Sequence, residues 1–264
     1  MTNYNLEELL SREIIKRIFD IFNHQSKEVR LVGGCVRDAL LSRKSKDLDF
    51  AANFEPKEII EVLRRNEILY EDFAFQYGSI VTYINDLKIH VTSLREDINQ
   101  IGRHTNIIYT DDWKKDSARR DFSINALYFS SEGIVFDYFN GKEDIEKKQI
   151  RYIGDIEKRI QEDYLRIFRY YRFLGLFKKS NVQNEYEEIH NKYISNSFNY
   201  LSNDVVRQEI LKMFKTPYPL NCFFMDIKKN IKRAWVDIVN DHFLKAKYEI
   251  GINKCLNKID LLIN

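Results

Sequence analysis

The sequence predicts an α+β protein: a mixed-sheet head over residues 1–143, followed by an all-helical extension over residues 144–264. Three observations predict it. Short β-rich runs alternate with helical ones up to about residue 143. From about Asp144 the β signals vanish and helical periodicity dominates. Charge divides with the pattern: residues 151–264 hold 20 Lys and Arg against 14 Asp and Glu, a balance of +6, and residues 1–150 hold 22 against 26, a balance of −4. An acidic half joined to a basic one suggests a metal-binding or catalytic head beside a surface for an anionic partner.

The elements follow in order. Leu6, Leu9, Leu10, Ile14, Ile15, Ile18, Phe19 and Phe22 fall at helical spacing with charges between them, predicting one amphipathic helix over 6–22. Val29–Val32 is a short apolar strand closed by Gly33-Gly34, and a helix opens at once over Cys35–Leu41. Asp47–Ala51 reads as a second strand. Glu55-Pro56 opens a helix to about Arg65, with proline in the first turn where its missing N–H costs nothing. Ser79–Ile84 and Lys88–Leu94, parted by Asn85-Asp86, read as a hairpin. Residues 96–116 are polar and irregular, too long for an ordinary connection, and predict a mobile functional loop or flap. Ala126–Ser130 and Ile134–Tyr138 bracket a Ser-Glu-Gly turn and predict another hairpin.

Composition excludes several classes. With 44% apolar and 31% charged residues, the 264-residue chain buries a core and is not disordered. Three cysteines far apart (Cys35, Cys222, Cys255) form neither a disulfide framework nor a zinc module. No apolar run approaches the ~20 residues of a membrane span. Glu7, Glu8, Glu13 and Asp20 argue against a signal or transit peptide, so a cytoplasmic or matrix-like location is expected. P-loop, Rossmann and nucleophile-elbow spacings do not occur. The histidines are scattered.

Three clusters carry chemistry. Asp47 and Asp49, two apart on a strand, point their carboxylates to one face and suit one or two Mg²⁺ ions. Alone, the pair reads as an exposed acidic strand end. The Gly33-Gly34 turn before it opens a helix with free amides suited to phosphate, and Arg37 in the first turn adds charge. Arg119-Arg120-Asp121 is the second cluster: Arg120 suits a triphosphate, and Asp121 suits orienting that arginine or assisting the metal. Its bland reading is a helix-terminal ion pair. In the third, Asp163, Arg166, Arg169 and Arg172 follow at steps of three and predict one ridge along a helix. A solvated cationic face with a salt bridge is the bland alternative.

Together these motifs resemble the class II tRNA nucleotidyltransferases, the CCA-adding enzymes and their bacterial poly(A) polymerase relatives. The residues that carry the resemblance are Leu31-Val32-Gly33-Gly34-Cys35-Val36-Arg37-Asp38, Lys46-Asp47-Leu48-Asp49, Arg119-Arg120-Asp121-Phe122-Ser123-Ile124-Asn125-Ala126-Leu127 and Glu162-Asp163-Tyr164-Leu165-Arg166-Ile167-Phe168-Arg169. Asp137-Tyr138-Phe139-Asn140-Gly141 with Asp144 resembles the head-to-neck hinge, and Gly102-Arg103-His104 the flexible catalytic loop. The resemblance implies a polymerase-beta-like nucleotidyltransferase head (1–143), a helical neck and shortened body (144–264), and CTP, ATP and the tRNA 3′ end as substrates and partner. It implies that Asp47 and Asp49 hold Mg²⁺ and are catalytic. Gly33, Gly34, Arg37, Arg120 and Asp121 are implied at the nucleotide, Asp163 and Arg166 as a protein template for the base, and Arg169 and Arg172 as neighbouring arginines.

The template has its own chemical logic. Cytosine and adenine each show an amine donor beside a ring-nitrogen acceptor, which a carboxylate and a guanidinium match. Uracil and guanine invert the pattern and meet repulsion. Two departures stand out. His90 lies where family members commonly carry a glutamate facing the aspartates, and suits either a structural or a site role. The sequence also ends about ninety residues after the template helix, where relatives continue, implying a minimal or a shortened enzyme. The alternatives are a relative that adds only CC, only A or poly(A), and a catalytically silent RNA-binding protein.

Overall fold

The computed structural model describes residues 5–23, 27–45, 47–85, 87–101 and 104–245, which fall into two compact units. The first runs to Gln100 and continues as His104–Lys147 and Arg151–Gly154; the second takes in Lys148–Ile150 and the chain from Asp155. The helix Gly141–Glu146 belongs to the first unit, where Ser123 Oγ donates to Asp144.

Among the described residues, nine strands build the first unit: β1 (Val29–Val32), β2 (Leu48–Ala52), β3 (Tyr70–Glu71), β4 (Ser79–Ile84), β5 (Leu87–Ser93), β6 (Arg95–Ile101), β7 (His104–Tyr109), β8 (Leu127–Phe129) and β9 (Val135–Asp137). Seven form one sheet in the order β3-β4-β5-β2-β1-β8-β9. Only β2 and β5 run parallel, which makes the sheet mixed, as expected. The helix Pro56–Arg65 lies on the path between them, opened by Pro56 and a capping box of Glu55 and Glu58. Asn85, at a φ of 49°, turns the β4–β5 hairpin, and Gly133, at 79°, the β8–β9 hairpin.

One face of the sheet buries Leu31, Phe50, Ile89 and Val91. Phe19 packs there edge-on against Phe50 at 5.6 Å. Its helix, Glu13–Phe22, is separate from Leu6–Ser11; Arg12, at a ψ of 124°, breaks the single helix expected and lets Leu9 and Ile15 both reach full burial. The other face clusters Val32, Ala51, Leu94 and Tyr128 with Trp113, Phe136 and Tyr138.

Residues 96–116 are more regular than the sequence suggests and suit the second of the two expectations, a flap. β6 and β7 pair as a separate two-stranded sheet, and Trp113–Ala118 is a helix capped by Asp112. The segment is a hairpin flap.

The second unit is helical but not wholly so. Its helices include Ile156–Glu162, Leu165–Leu174, Asn184–Ser197, Asn203–Met213 and Ala234–Lys245. Phe224–Asp226 and Ile231–Lys232 pair as a short antiparallel ribbon, against the expectation that β structure ends in the head. Its core stacks Tyr171 on Trp235 at 5.4 Å and seals His190, which burial holds neutral with its pKa lowered to about 3. Among the described residues, no helix is long and apolar enough to cross a membrane.

Candidate active site

In the first unit, local chain geometry places the acidic pair. β2 begins at Leu48, one residue later than expected, so Asp47 stands exposed just before the strand and Asp49 half-buried within it. Ser45 Oγ donates to the Asp47 carbonyl at 3.0 Å and fixes that approach. Asp49 pairs in register with His90 on parallel β5, which puts both side chains on one face. Burial pushes the Asp49 carboxyl above its usual pKa; His90 and Arg120 pull it down, and the charge of Asp47 adds to the rise. His90 thus faces the site as a neighbour of Asp49.

Gly33 ends β1 at a φ of 74° and a ψ of −123°, a conformation that favours glycine. A Cβ there would stand 3.5 Å from the Asn125 carbonyl oxygen and 3.6 Å from Arg120 Nη1. The turn is therefore walled by the second cluster. Gly34 opens the helix Gly34–Leu40, on which Cys35 is sealed, its thiol pushed up to about 12 by burial and the nearby Asp49 charge. Cys35 is no nucleophile here.

Arg37 is buried and held at both ends of its fork. Nε and Nη2 donate to Asp38 Oδ1 at 2.9 and 2.7 Å, and Nη1 to Asn125 Oδ1 at 2.6 Å. Asn125 in turn donates to Asp121 Oδ1 at 3.2 Å. Asp121 therefore orients Arg37 through Asn125. The carboxylate on Arg120 is a different one: Asp116 Oδ2 accepts from Arg120 Nη2 at 3.1 Å and from the Tyr128 hydroxyl at 2.6 Å. Burial works to raise the Asp116 pKa, but Arg119, Arg120 and the Tyr128 hydrogen bond outweigh it and hold it at about 2. Burial keeps Tyr128 protonated.

Asp116 and Tyr128 were not among the residues singled out in the sequence. Asp116 leaves a signal there, standing three and four residues before Arg119 and Arg120 on one helical face. Tyr128 leaves none; its place comes from strand pairing opposite Val32.

Two carboxylates at a glycine turn, with a fixed guanidinium beside them, suit a divalent cation and a phosphate chain. Among the described residues no group of three or more His, Cys, Asp or Glu stands ready to hold a metal. Of the expected flexible loop, Arg103 lies outside the described residues; His104 begins β7, and its side chain is not among those described.

In the second unit, the third cluster departs from a single ridge. Asp163 ends the helix Ile156–Glu162 with extended backbone, φ −154° and ψ 101°. Its Oδ1 accepts from the Leu165 N–H at 3.0 Å, so the side chain caps the next helix instead of lying on it. Arg166, Arg169 and Arg172 share that helix, Leu165–Leu174. Arg166 is buried, with Nη1 donating to Glu162 Oε2 and to the Arg159 carbonyl, each at 2.6 Å. Glu162 also takes Arg159 Nη1 at 2.6 Å, which makes it a bridge between two arginines. Arg169 is half-buried, and Arg172 pairs with Glu209 of the helix Asn203–Met213.

Residues 29–151 match the family described as the poly A polymerase head domain. The chain is 39% identical over 167 residues to the human mitochondrial CCA tRNA nucleotidyltransferase 1, a match covering 63% of this chain and 38% of the relative. It is 31% identical over 231 residues to the CCA-adding enzyme of Lactobacillus gasseri, covering 84% of this chain and 55% of that one. Among solved structures, a tRNA nucleotidyltransferase complexed with a primer tRNA and an incoming ATP analog is similar, with a TM-score of 0.60 and 27% identity, covering 74% of this chain and 55% of the other. The matches thus span about half or less of these relatives' length.

Proposed function

We propose, from the match of residues 29–151 to the family described as the poly A polymerase head domain, that the chain is a CCA tRNA nucleotidyltransferase, adding C, C and A to tRNA 3′ ends from CTP and ATP with release of pyrophosphate. One observation carries the reading: the Asp49 carboxylate feels both the Asp47 charge and the Arg120 guanidinium, and Arg120 Nη1 reaches the Gly33 turn. The names of the relatives support tRNA and ATP as substrates, and the proposed CCA product calls for CTP beside them.

The donor set fits a divalent cation, since one carboxylate is exposed and the other is held above its ordinary pKa, partly by its partner, a repulsion that a cation relieves. Asp47 and Asp49 would hold it, and Mg²⁺ is the ion proposed. When bound, the cation lowers the pKa of the 3′-hydroxyl and offsets charge on the phosphates. The chain's own residues bind and orient. Gly33 and Gly34 let the nucleotide's phosphates approach the backbone, Arg37 and Arg120 supply positive charge, and Asp121 keeps Arg37 in place through Asn125. Asp163 and Arg166 read the base, with Arg169 beside them; the Glu209 pair supports a structural role for Arg172. A nucleotidyltransferase head followed by a helical neck and body stays part of the proposal; the compact first unit runs on through Lys147 and takes in Arg151–Gly154, beyond the boundary expected at residues 143 and 144. A cytoplasmic or mitochondrial-matrix setting suits this chemistry.

The test is incorporation of labelled CTP into tRNA lacking its last three nucleotides, against a homopolymeric RNA as control. Transfer to the tRNA and not the homopolymer is expected; labelled ATP in place of CTP extending either RNA into a run of adenosines would favour a poly(A) polymerase. Holding of tRNA is assigned to the basic helical part by charge and shape. Its affinity should therefore fall steeply between about 50 and 200 mM salt in a filter-binding titration, and a flat profile would contradict that assignment.

A further inference from the structure

Asp116 makes more contacts than an ordinary ion pair needs. It is 0% exposed, and its two oxygens take four donors. Oδ1 accepts from Arg119 Nε at 2.8 Å and from the Arg95 backbone N–H at 3.2 Å. Oδ2 accepts from the Tyr128 hydroxyl and Arg120 Nη2. The Tyr128 oxygen also accepts from Arg120 Nε at 3.1 Å. The phenol and the carboxylate thus grip one edge of the Arg120 guanidinium, the edge formed by Nε and Nη2. A guanidinium is planar, so gripping that edge fixes the direction of the remaining nitrogen. That nitrogen, Nη1, is the one 3.6 Å from the Cβ position of Gly33.

We propose that Asp116 and Tyr128 are positioning residues for nucleotide binding, a buried carboxylate–phenol pair that aims Arg120 at the Gly33–Gly34 turn to meet a nucleotide phosphate. The proposal rests on the nucleotidyltransferase reading of the head. Stability alone does not account for the arrangement, since buried ion pairs are often replaced by apolar side chains at no loss. The Arg95 contact adds a second consequence. Arg95 begins β6, so the carboxylate that aims Arg120 also anchors the root of the hairpin flap.

Tyr128→Phe is the discriminating variant. It keeps the ring, which packs edge-on against Trp113 at 5.5 Å and Tyr138 at 6.1 Å, and removes only the oxygen. The measurement is equilibrium binding of CTP and of ATP to the full chain in Mg²⁺, with the melting temperature recorded alongside. Affinity for both nucleotides should fall alike, about five- to tenfold, with melting within a few degrees of wild type. The same change in an Arg120→Met background should have no further effect, because Tyr128 acts through Arg120. Unchanged affinity in Tyr128→Phe, or an equal loss in both backgrounds, would overturn the proposal. A wild-type chain that binds neither nucleotide would instead overturn the nucleotidyltransferase reading. Asp116→Asn should weaken both nucleotides in the same way; should it fail to fold, Tyr128→Phe decides alone.

Discussion

Asp49→Asn should abolish nucleotide addition and raise the melting temperature of the metal-free protein at neutral pH. Activity is lost because the variant lacks a carboxylate proposed to hold the cation, and stability rises because burial and Asp47 hold that carboxylate above its ordinary pKa despite His90 and Arg120. The folded state binds this proton more tightly than the unfolded chain does. The ionised group therefore costs stability at neutral pH, and the cost disappears as pH falls through the folded pKa. Asparagine removes the charge and so removes the cost. Thermal melts of both proteins in a chelator should show the variant ahead at pH 7, with its lead shrinking under acid. A variant less stable than wild type at pH 7, or one retaining more than a small fraction of the incorporation rate, would contradict the role given to Asp49.

Asp163→Ala and Arg166→Ala should each change the choice of base and not merely the rate. An acceptor and a donor fork match cytosine and adenine, and each lost or mispaired contact should cost about 1–3 kcal/mol, a factor of roughly five to over a hundred. Asp163→Ala removes the group that repels a carbonyl, so relative misincorporation of U or G should rise as C and A incorporation falls. Single-nucleotide extension with each of the four nucleotides measures this directly. The arrangement around Arg166 adds a third variant. Glu162 and the Arg159 carbonyl hold its Nη1. Glu162→Gln should then blur discrimination more weakly than Arg166→Ala. Unchanged ratios in all three would leave only the structural salt bridges.

The parts of the head that sequence made legible are those where one local signal decides the geometry. Gly33-Gly34 must turn because the backbone there takes a φ of 74°. The β4–β5 hairpin declared itself through two β-rich runs parted by Asn85-Asp86. Asp49 showed its direction through strand period, in register with His90 on β5, whereas Asp47 falls just before β2, where that period does not run. The flap was hidden because its strands bury little: Ile98 is 37% and Ile108 54% exposed, so no apolar alternation marks them. The Phe224–Asp226 ribbon is too short and irregular to leave a pattern. Asp163 fits a helical ridge by spacing, yet its side chain takes the Leu165 N–H and breaks the helix at that point. The Asp116–Tyr128 contact joins a helix to a strand through tertiary packing, which no local period reports.

The central claim is tested most directly by reading the product. The 264-residue chain is incubated in Mg²⁺ with tRNA lacking its three terminal nucleotides, with CTP alone, ATP alone and both together, and the 3′ ends are sequenced. The account predicts two added cytidines with CTP alone, no ordered addition with ATP alone, and CCA with no further extension when both are present. Ends unextended under every condition, or a run of adenosines with ATP alone, would contradict it.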